Sequence, residues 1–431
     1  MNYYSLNKTA PTVDFREATI RGQAPDKGLY FPETIPVLDP LLVSGIDKLS
    51  KEELSFRVML PYVGKTIDQE TLYKIVSETI HFIFPLVPVT NDIFSLELFH
   101  GPTLAFKDVG ARFMSRCLGY FSQKNERKIT VLVATSGDTG GAVANGFLGV
   151  EGVEVVILYP SGKVSPVQEL QLTTCGQNIT ALEVAGSFDD CQSMVKDVFM
   201  DADLTKKLQL TSANSINVAR WLPQQLYYFF AYQQWKQKKH PPVIAVPSGN
   251  FGNLCAGLLA HVSGLPVQHF IAACNVNDAV PAYLRSGSYA VKTAVPTISN
   301  AMDVGSPSNF IRILELFQNN YQHVVQKISG YTVTDEQTRQ TISDVYKAHD
   351  YILDPHGAIG YYALQQYLKD HPGQKGIFLE TAHPVKFPET VEAMTGKAIA
   401  VPGSAQELFS KEKHSVKIQA SFAELKEWLL Q

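Results

Sequence analysis

From residue 129 the chain falls into a repeating unit: an apolar run, a loop of glycine and hydroxyl residues, then a helix-compatible stretch. The apolar runs cover 129–134, 153–159 and 179–184. The first two lead into Thr135-Ser136-Gly137-Asp138-Thr139-Gly140-Gly141 and Pro160-Ser161-Gly162-Lys163. Helices are expected over 142–148, over 167–174, and from Ser187 or Asp189 toward Met200. Such short apolar runs read as strands buried on both faces, and strands alternating with helices pack as a parallel sheet. Right-handed crossovers then put every strand-to-helix loop along one edge. The unit returns with a strand at 243–246, the loop Ser248-Gly249-Asn250-Phe251-Gly252 and a helix at 253–262. Further strands are expected at 268–273 and 376–380. The fold class is therefore α/β.

The flanking regions carry fewer signals. Residues 1–94 read as a mostly helical lead-in, with a turn-rich loop at 21–28. Ser50 with Glu53 is a capping-box pair, and Leu72, Ile75, Val76 and Ile80 keep helical spacing after Asp68. Thr334 with Gln337 caps a helix reaching about His349, and Ser421 with Glu424 caps a terminal one. A chain of 431 residues, 45% hydrophobic and 18% charged, is globular with room for two or three domains. A formal charge of -4 gives no general pull toward nucleic acid or anionic membrane, so neither is expected as a partner. No secretory leader opens the sequence, and the apolar runs are too short to span a bilayer. Cys117, Cys175, Cys191, Cys255 and Cys274 are widely spaced without a Cys-x-x-Cys pair, which fits reduced thiols in a cytoplasmic protein. The histidines show no zinc-type spacing, so no metal site is expected.

One lysine stands out. The stretch 95–99 alternates as a short strand, His100-Gly101-Pro102-Thr103 breaks it, and Leu104-Ala105-Phe106 leads Lys107 into an amphipathic helix over 109–121. A lysine at the positive end of a helix dipole, with apolar neighbours, has its ammonium form disfavoured. That makes an amine nucleophilic enough for Schiff-base chemistry. The same local features also fit a solvated surface lysine.

Three loops are suited to anions. In 248–252, glycines admit close approach, and successive amides at a helix start favour a phosphate. An ordinary strand-to-helix turn has the same outline. Thr135, Ser136 and Thr139 offer hydroxyls for a carboxylate, and the absence of Gly-Lys-Ser/Thr counts against an NTPase loop. Asn214, Ser215 and Arg220 combine an amide, a hydroxyl and a guanidinium that suit a small dianion. A salt bridge at Arg220 with asparagine caps beside it is the structural alternative.

Together these segments resemble the threonine synthase family, pyridoxal 5'-phosphate enzymes of the tryptophan-synthase-β-like fold. The likeness is carried by the 22–28 loop with Leu29-Tyr30-Phe31-Pro32-Glu33 and by His100-Gly101-Pro102-Thr103-Leu104-Ala105-Phe106-Lys107-Asp108. Segments 134–140, 160–168, 214–224, 247–252 and 381–387 follow in the family's order, so nearly the whole chain is covered. The chain most resembles the branch with an added N-terminal region.

The resemblance implies two open, mostly parallel sheets flanked by helices, with a helical N-terminal region. It implies domains at 1–94, at 95–125 (the lysine segment, packing with the large domain), at 126–213 (smaller) and at 214–431 (large, cofactor-binding). Lys107 would join the cofactor as a Schiff base and move protons. Gly249, Asn250 and Phe251 would hold its phosphate, and Thr381 would face the pyridine nitrogen. Asn253 stands where relatives often carry Asp. Thr135, Ser136, Asp138 and Thr139 would bind the substrate carboxylate, and Asn214, Ser215 and Arg220 with Lys163 its phosphate. The implied reaction converts O-phospho-L-homoserine and water to L-threonine and phosphate, in a monomer or homodimer. Two rivals stand beside it: a serine/threonine dehydratase-like β-eliminating enzyme, and a non-catalytic binding protein of the same fold.

Overall fold

The structure, a computed structural model, describes residues 1–123 and 127–431. Two sheets organise it. The six-stranded sheet runs, edge to edge, Ile328–Thr332, His269–Cys274, Val243–Pro247, Gly376–Glu380, Ile93–Glu97 and Leu86–Pro88. All its pairings are parallel except the last. The five-stranded sheet runs Val416–Gln419, Ile179–Ala185, Val153–Pro160, Ile129–Ala134 and Gln209–Ser212, parallel throughout. Ile129–Ala134, Val243–Pro247 and Gly376–Glu380 are buried along their whole length, because helices cover both faces.

Local signals place most elements. Ser187 caps Phe188–Met200 in a reciprocal box with Asp190, and Thr334 does the same with Gln337 for Asp335–His349. Ser50 accepts from the Glu53 amide at the start of Lys51–Val63. At Phe422–Leu430 the expected cap is absent: Glu424 Oε2 instead accepts from the Gln419 amide, tying the helix to the strand before it.

Three expectations change. The N-terminal region contains an antiparallel sheet of Asn2–Ser5, Val13–Asp14 and Tyr30–Pro32 beside its helices. Strands this short show no readable alternation; distant contacts hold them, such as the buried Tyr3 hydroxyl donating to Tyr62 O at 2.7 Å. Second, the lysine segment does not pack with one lobe. Its strand, Ile93–Glu97, lies in the six-stranded sheet. Its helix, Lys107–Ser122, packs on Asp138–Phe147, where a Cβ on Gly146 would come within 3.1 Å of the Ala111 backbone. The boundary drawn at 125/126 lies outside the described residues.

Third, the end of the chain leaves the large lobe. Val416–Gln419 extends the five-stranded sheet beside Ile179–Ala185, with Ile418 level with Val184. Lys413 secures the crossing by reaching Glu169 and Glu183. Ile418 and Leu425 are buried in one cluster with Leu182, Val184, Cys191 and Met194.

Removing a buried leucine side chain costs about 2–5 kcal/mol. Leu425→Ala should lower the melting temperature and accelerate amide hydrogen exchange in Ile179–Ala185 and Phe188–Met200. Exchange in Val243–Pro247 should stay as it was; equal acceleration there would contradict this division of the core.

Candidate active site

Three neighbouring parallel strands, Ile93–Glu97, Gly376–Glu380 and Val243–Pro247, end on the same edge of the six-stranded sheet. Their following loops therefore meet. The Phe106 amide donates to Thr381 O at 2.9 Å and the His383 amide to Leu104 O at 3.0 Å, with Ala105 opposite Ala382 in an antiparallel bridge. Leu104 takes a left-handed φ of 59°, and Asp108 clasps the turn by accepting from the Thr103 amide and hydroxyl. Gly101 must lack a side chain, since a Cβ would lie 2.3 Å from Asp108 Oδ2. Lys107 is thereby fixed beside Thr381 as the first residue of Lys107–Ser122.

Lys107 is half-buried, and loss of hydration pulls its amine down to about 8. Asp138 opposes that shift, while Lys386 and Arg220 push the same way as burial. Lys386 went unnoticed in the sequence. It is fully buried, with Nζ 2.6 Å from Asp138 Oδ1 and donating to Thr103 O at 2.9 Å. Gln168 Nε2 donates to the same Asp138 oxygen at 2.9 Å. Burial alone would raise the Asp138 carboxyl, but Lys386 and then Lys107 hold it well below the usual range. Asp138 is thus an electrostatic partner of two lysines, and its carboxylate is not free to receive a substrate carboxylate. The only sequence signal for Lys386 was its place in the 381–387 segment; its partner lies on the other sheet.

The 248–252 loop forms the amide cradle that its glycines suggested. Phe251 adopts a left-handed φ of 62° just before Gly252–Val262. The amides of Gly249, Asn250, Phe251 and Gly252 donate to no other group among the described residues. Gly249 backs onto 300–302, where a Cβ would lie 2.6 Å from Met302 Cα. The Asn253 side chain accepts from the Tyr228 hydroxyl at 3.0 Å, and its buried Nδ2 has no partner. Thr381 is buried where the three loops converge.

The other sheet contributes a facing edge. Ile129–Ala134 and Gln209–Ser212 are adjacent and parallel, so 135–141 and 213–220 lie together; Asn214 Nδ2 donates to Ala134 O at 3.3 Å. Thr135 Oγ1 accepts from the amides of Gly137 and Gly140, a turn-building role, while Ser136 and Thr139 are half-buried. Ser215 Oγ accepts from Asn250 Nδ2 at 2.8 Å, which joins the two loops directly. Arg220 lies on Val218–Trp221, 3% exposed, with Nε and Nη1 unpartnered and its charge pulled down to about 10 by burial. A Cβ on Gly110 would lie 2.6 Å from Arg220 O, so the Lys107 helix rests on this arginine's backbone. Lys163 is not gathered in. It is exposed, and the groups its charge acts on are Asp190 and Cys191.

A pyridoxal phosphate fits these residues: an amine with a depressed pKa, a cradle of free amides, and a buried hydroxyl between them. The comparisons agree. Residues 86–379 match the family described as "Pyridoxal-phosphate dependent enzyme", residues 2–80 "Threonine synthase N terminus", and residues 357–429 "Threonine synthase, C-terminal". The chain belongs to the threonine synthase family. The threonine synthase of Haemophilus influenzae is 43% identical over 431 residues, covering 100% of both chains. That of Escherichia coli K12 is 42% identical, covering 100% of this chain and 99% of its own.

Solved structures of the family superpose closely. Threonine synthase from Escherichia coli gives a TM-score of 0.93 at 42% identity, covering 100% of this chain and 99% of that one. The "PLP bound" threonine synthase from Brucella melitensis gives 0.92 at 33%, covering 100% and 98%. A tomato threonine deaminase gives 0.55 at 13%, covering 80% of this chain and 89% of that one, a likeness of fold alone. The chain is thus a pyridoxal-phosphate-dependent enzyme of the threonine synthase family.

Lys386 and Asp138 act on Lys107 with opposite signs. Lys386→Met should raise the Lys107 pKa and slow its acylation by an amine reagent at pH 8, whereas Asp138→Asn should lower the pKa. Peptide mass spectrometry of the cofactor-free chain across a pH series reads both. Shifts in the same direction would remove Lys386 and Asp138 as the controlling pair.

Proposed function

We propose that this enzyme converts O-phospho-L-homoserine and water to L-threonine and phosphate, with Lys107 as its proton-transferring amine. One observation carries the reading: two separate anion-receiving sites flank a single lysine of depressed pKa. The 249–252 amides form one, and the unpartnered Arg220 guanidinium forms the other. A β-eliminating dehydratase needs only the first. A substrate bearing its own phosphate needs both.

When bound, pyridoxal phosphate supplies an electron sink for carbanions formed at Cα and then at Cβ of the substrate. The amides of Gly249, Asn250 and Phe251 would hold its phosphate, Asn253 Nδ2 would reach it from the helix start, and Thr381 would lie at its pyridine nitrogen. A hydroxyl there provides no anionic partner, so the nitrogen is not held permanently cationic. Lys107 Nζ takes the Cα and Cβ protons and returns one at Cγ. Loss of hydration lowers its pKa to about 8, which favours the free amine that takes protons. Ser136 and Thr139, with the amides opening Asp138–Phe147, receive the substrate carboxylate; Asp138 does not repel it because Lys386 holds its charge.

Arg220, with Asn214 and Ser215, holds the substrate phosphate and stabilises it as the Cγ–O bond breaks. Water then adds at Cβ. The lobes divide as the sheets do, with residues 413–431 joining the smaller one. Free and mostly buried cysteines favour a cytoplasmic site of action, and a monomer or homodimer with a small-molecule substrate as its sole partner completes the reading.

Lys107→Ala should leave a folded protein without turnover and without a borohydride-reducible cofactor adduct. Retained activity with an adduct at another lysine would reassign the amine. Charge-assisted hydrogen bonds in shielded sites contribute about 1.5–3 kcal/mol each. Arg220→Ala should therefore reduce kcat/KM for phosphohomoserine about 10- to 200-fold while preserving cofactor absorbance. Loss of cofactor binding instead would mean that the two phosphate sites are exchanged. Thr381→Asp should raise the ring nitrogen's pKa and divert turnover toward transamination; an unchanged product ratio and rate would remove Thr381 as its partner.

A further inference from the structure

Arg312, which no sequence motif marked, is a fully buried cation bound to four oxygen acceptors. It is fully buried on Phe310–Leu316 and stacks at 4.4 Å over the Trp221 ring. Among the described residues it has no carboxylate partner within ion-pair distance, and burial pulls it down to about 10. Its two terminal nitrogens bond neutral acceptors instead, while the buried Nε has no partner among the described residues. Nη1 reaches Ser215 O at 3.0 Å and Asn309 Oδ1 at 2.6 Å; Nη2 reaches Ile216 O at 2.6 Å and Tyr30 O at 3.1 Å. Burying a charge without a counterion is costly, so a fold that retains one gains something a packed apolar side chain could not supply.

The acceptors show what is gained. Ser215 and Ile216 belong to the loop that ends at Arg220. Asn309, oriented by Arg312, donates Nδ2 to Ser215 Oγ at 3.0 Å and to Asn250 O at 3.1 Å. Asn250 Nδ2 donates to the same Ser215 hydroxyl, and Asn250 Oδ1 accepts from the Ser308 amide and hydroxyl. One guanidinium plane thus fixes the 214–217 loop, and through one amide fixes the 249–252 loop against it. In a trans peptide the C=O and N–H point opposite ways. Turning Ser215 O toward Arg312 therefore turns the Ile216 amide away from it, and that amide has no acceptor among the described residues.

We infer that Arg312, acting through Asn309, is a positioning residue that sets the separation of the two phosphate-binding loops, and so matches the enzyme to a substrate phosphate at a fixed distance from the cofactor phosphate. The inference rests on the reading of 249–252 and 214–220 as those two loops. A lysine keeps the charge but loses the planar fork, so charge alone does not serve.

The test uses the full chain as wild type, Arg312→Lys and Asn309→Ala, reconstituted with pyridoxal phosphate and, separately, with pyridoxal, which lacks the phosphate. Inorganic phosphate serves as a competitive inhibitor against phosphohomoserine to probe the second loop. In both variants the preference for pyridoxal phosphate over pyridoxal should fall about 3- to 10-fold, and the inhibition constant for inorganic phosphate should rise by a similar factor. A residue that only packs the core would lower the melting temperature and leave both ratios unchanged, which would overturn the inference while the loop assignment stands. A wild-type chain without preference for the phosphorylated cofactor would overturn the loop assignment and the inference with it. Should Arg312→Lys fail to fold, Asn309→Ala carries the same two readouts.

Discussion

Lys107 sits among two other cations, Lys386 and Arg220; Asp138 balances the two lysines, and the buried Asp108 acts on Arg220. This shortage of negative charge in a buried space is the constraint on which the rest of the site depends. Burial depresses the Lys107 amine and the two neighbouring cations add to the shift, while Arg220 Nε and Nη1 have no protein partner. The shortage also commits Asp138 so fully that the carboxylate stays ionised despite burial. Water would weaken each of these effects, because charges interact far less in a high-dielectric medium. Such a site is built to be completed by anions.

The same residues connect the two sheets. Lys386 follows the Gly376–Glu380 strand, while Asp138 opens a helix of the other sheet, and their ion pair crosses between them. Gln171 adds a second crossing by donating to Thr103 O at 3.0 Å, in the turn that leads to Lys107. Breaking such a buried pair by removing one partner leaves an uncompensated charge and costs several kcal/mol. This ion pair therefore both joins the lobes and acts on the protonation of the lysine.

A carboxyl next to Thr381 shows the same economy of charge. Glu380 ends its strand fully buried, and burial together with the Asp354 carboxylate raises its pKa well above the usual range. Successive strand residues point to opposite faces, so Glu380 projects away from the face that Thr381 presents. Its Oε1 accepts from the Asp354 amide at 2.6 Å, and a Cβ on Gly357 would overlap its other oxygen. The carboxyl next to Thr381 is thus pushed toward its neutral form and turned into the core.

Local sequence was enough for the strands at 129–134 and 376–380, for the boxed helix at Thr334, and for the glycine loop at 248–252. In each case the signal lies within a few residues: a buried run, a capping pair, or a glycine where the backbone approaches closely. The Lys107 stretch and the Arg220 cluster stood out in the sequence for the same reason. Tertiary structure alone decided that Asp138 pairs with Lys386, that Lys163 is exposed with its charge acting on Asp190, and that the last strand pairs with Ile179–Ala185. It alone placed Arg312 between the loops and put Tyr3 under Tyr62. Those outcomes are fixed by partners far apart in the chain, where burial and charge balance select the pairing and no local periodicity records it.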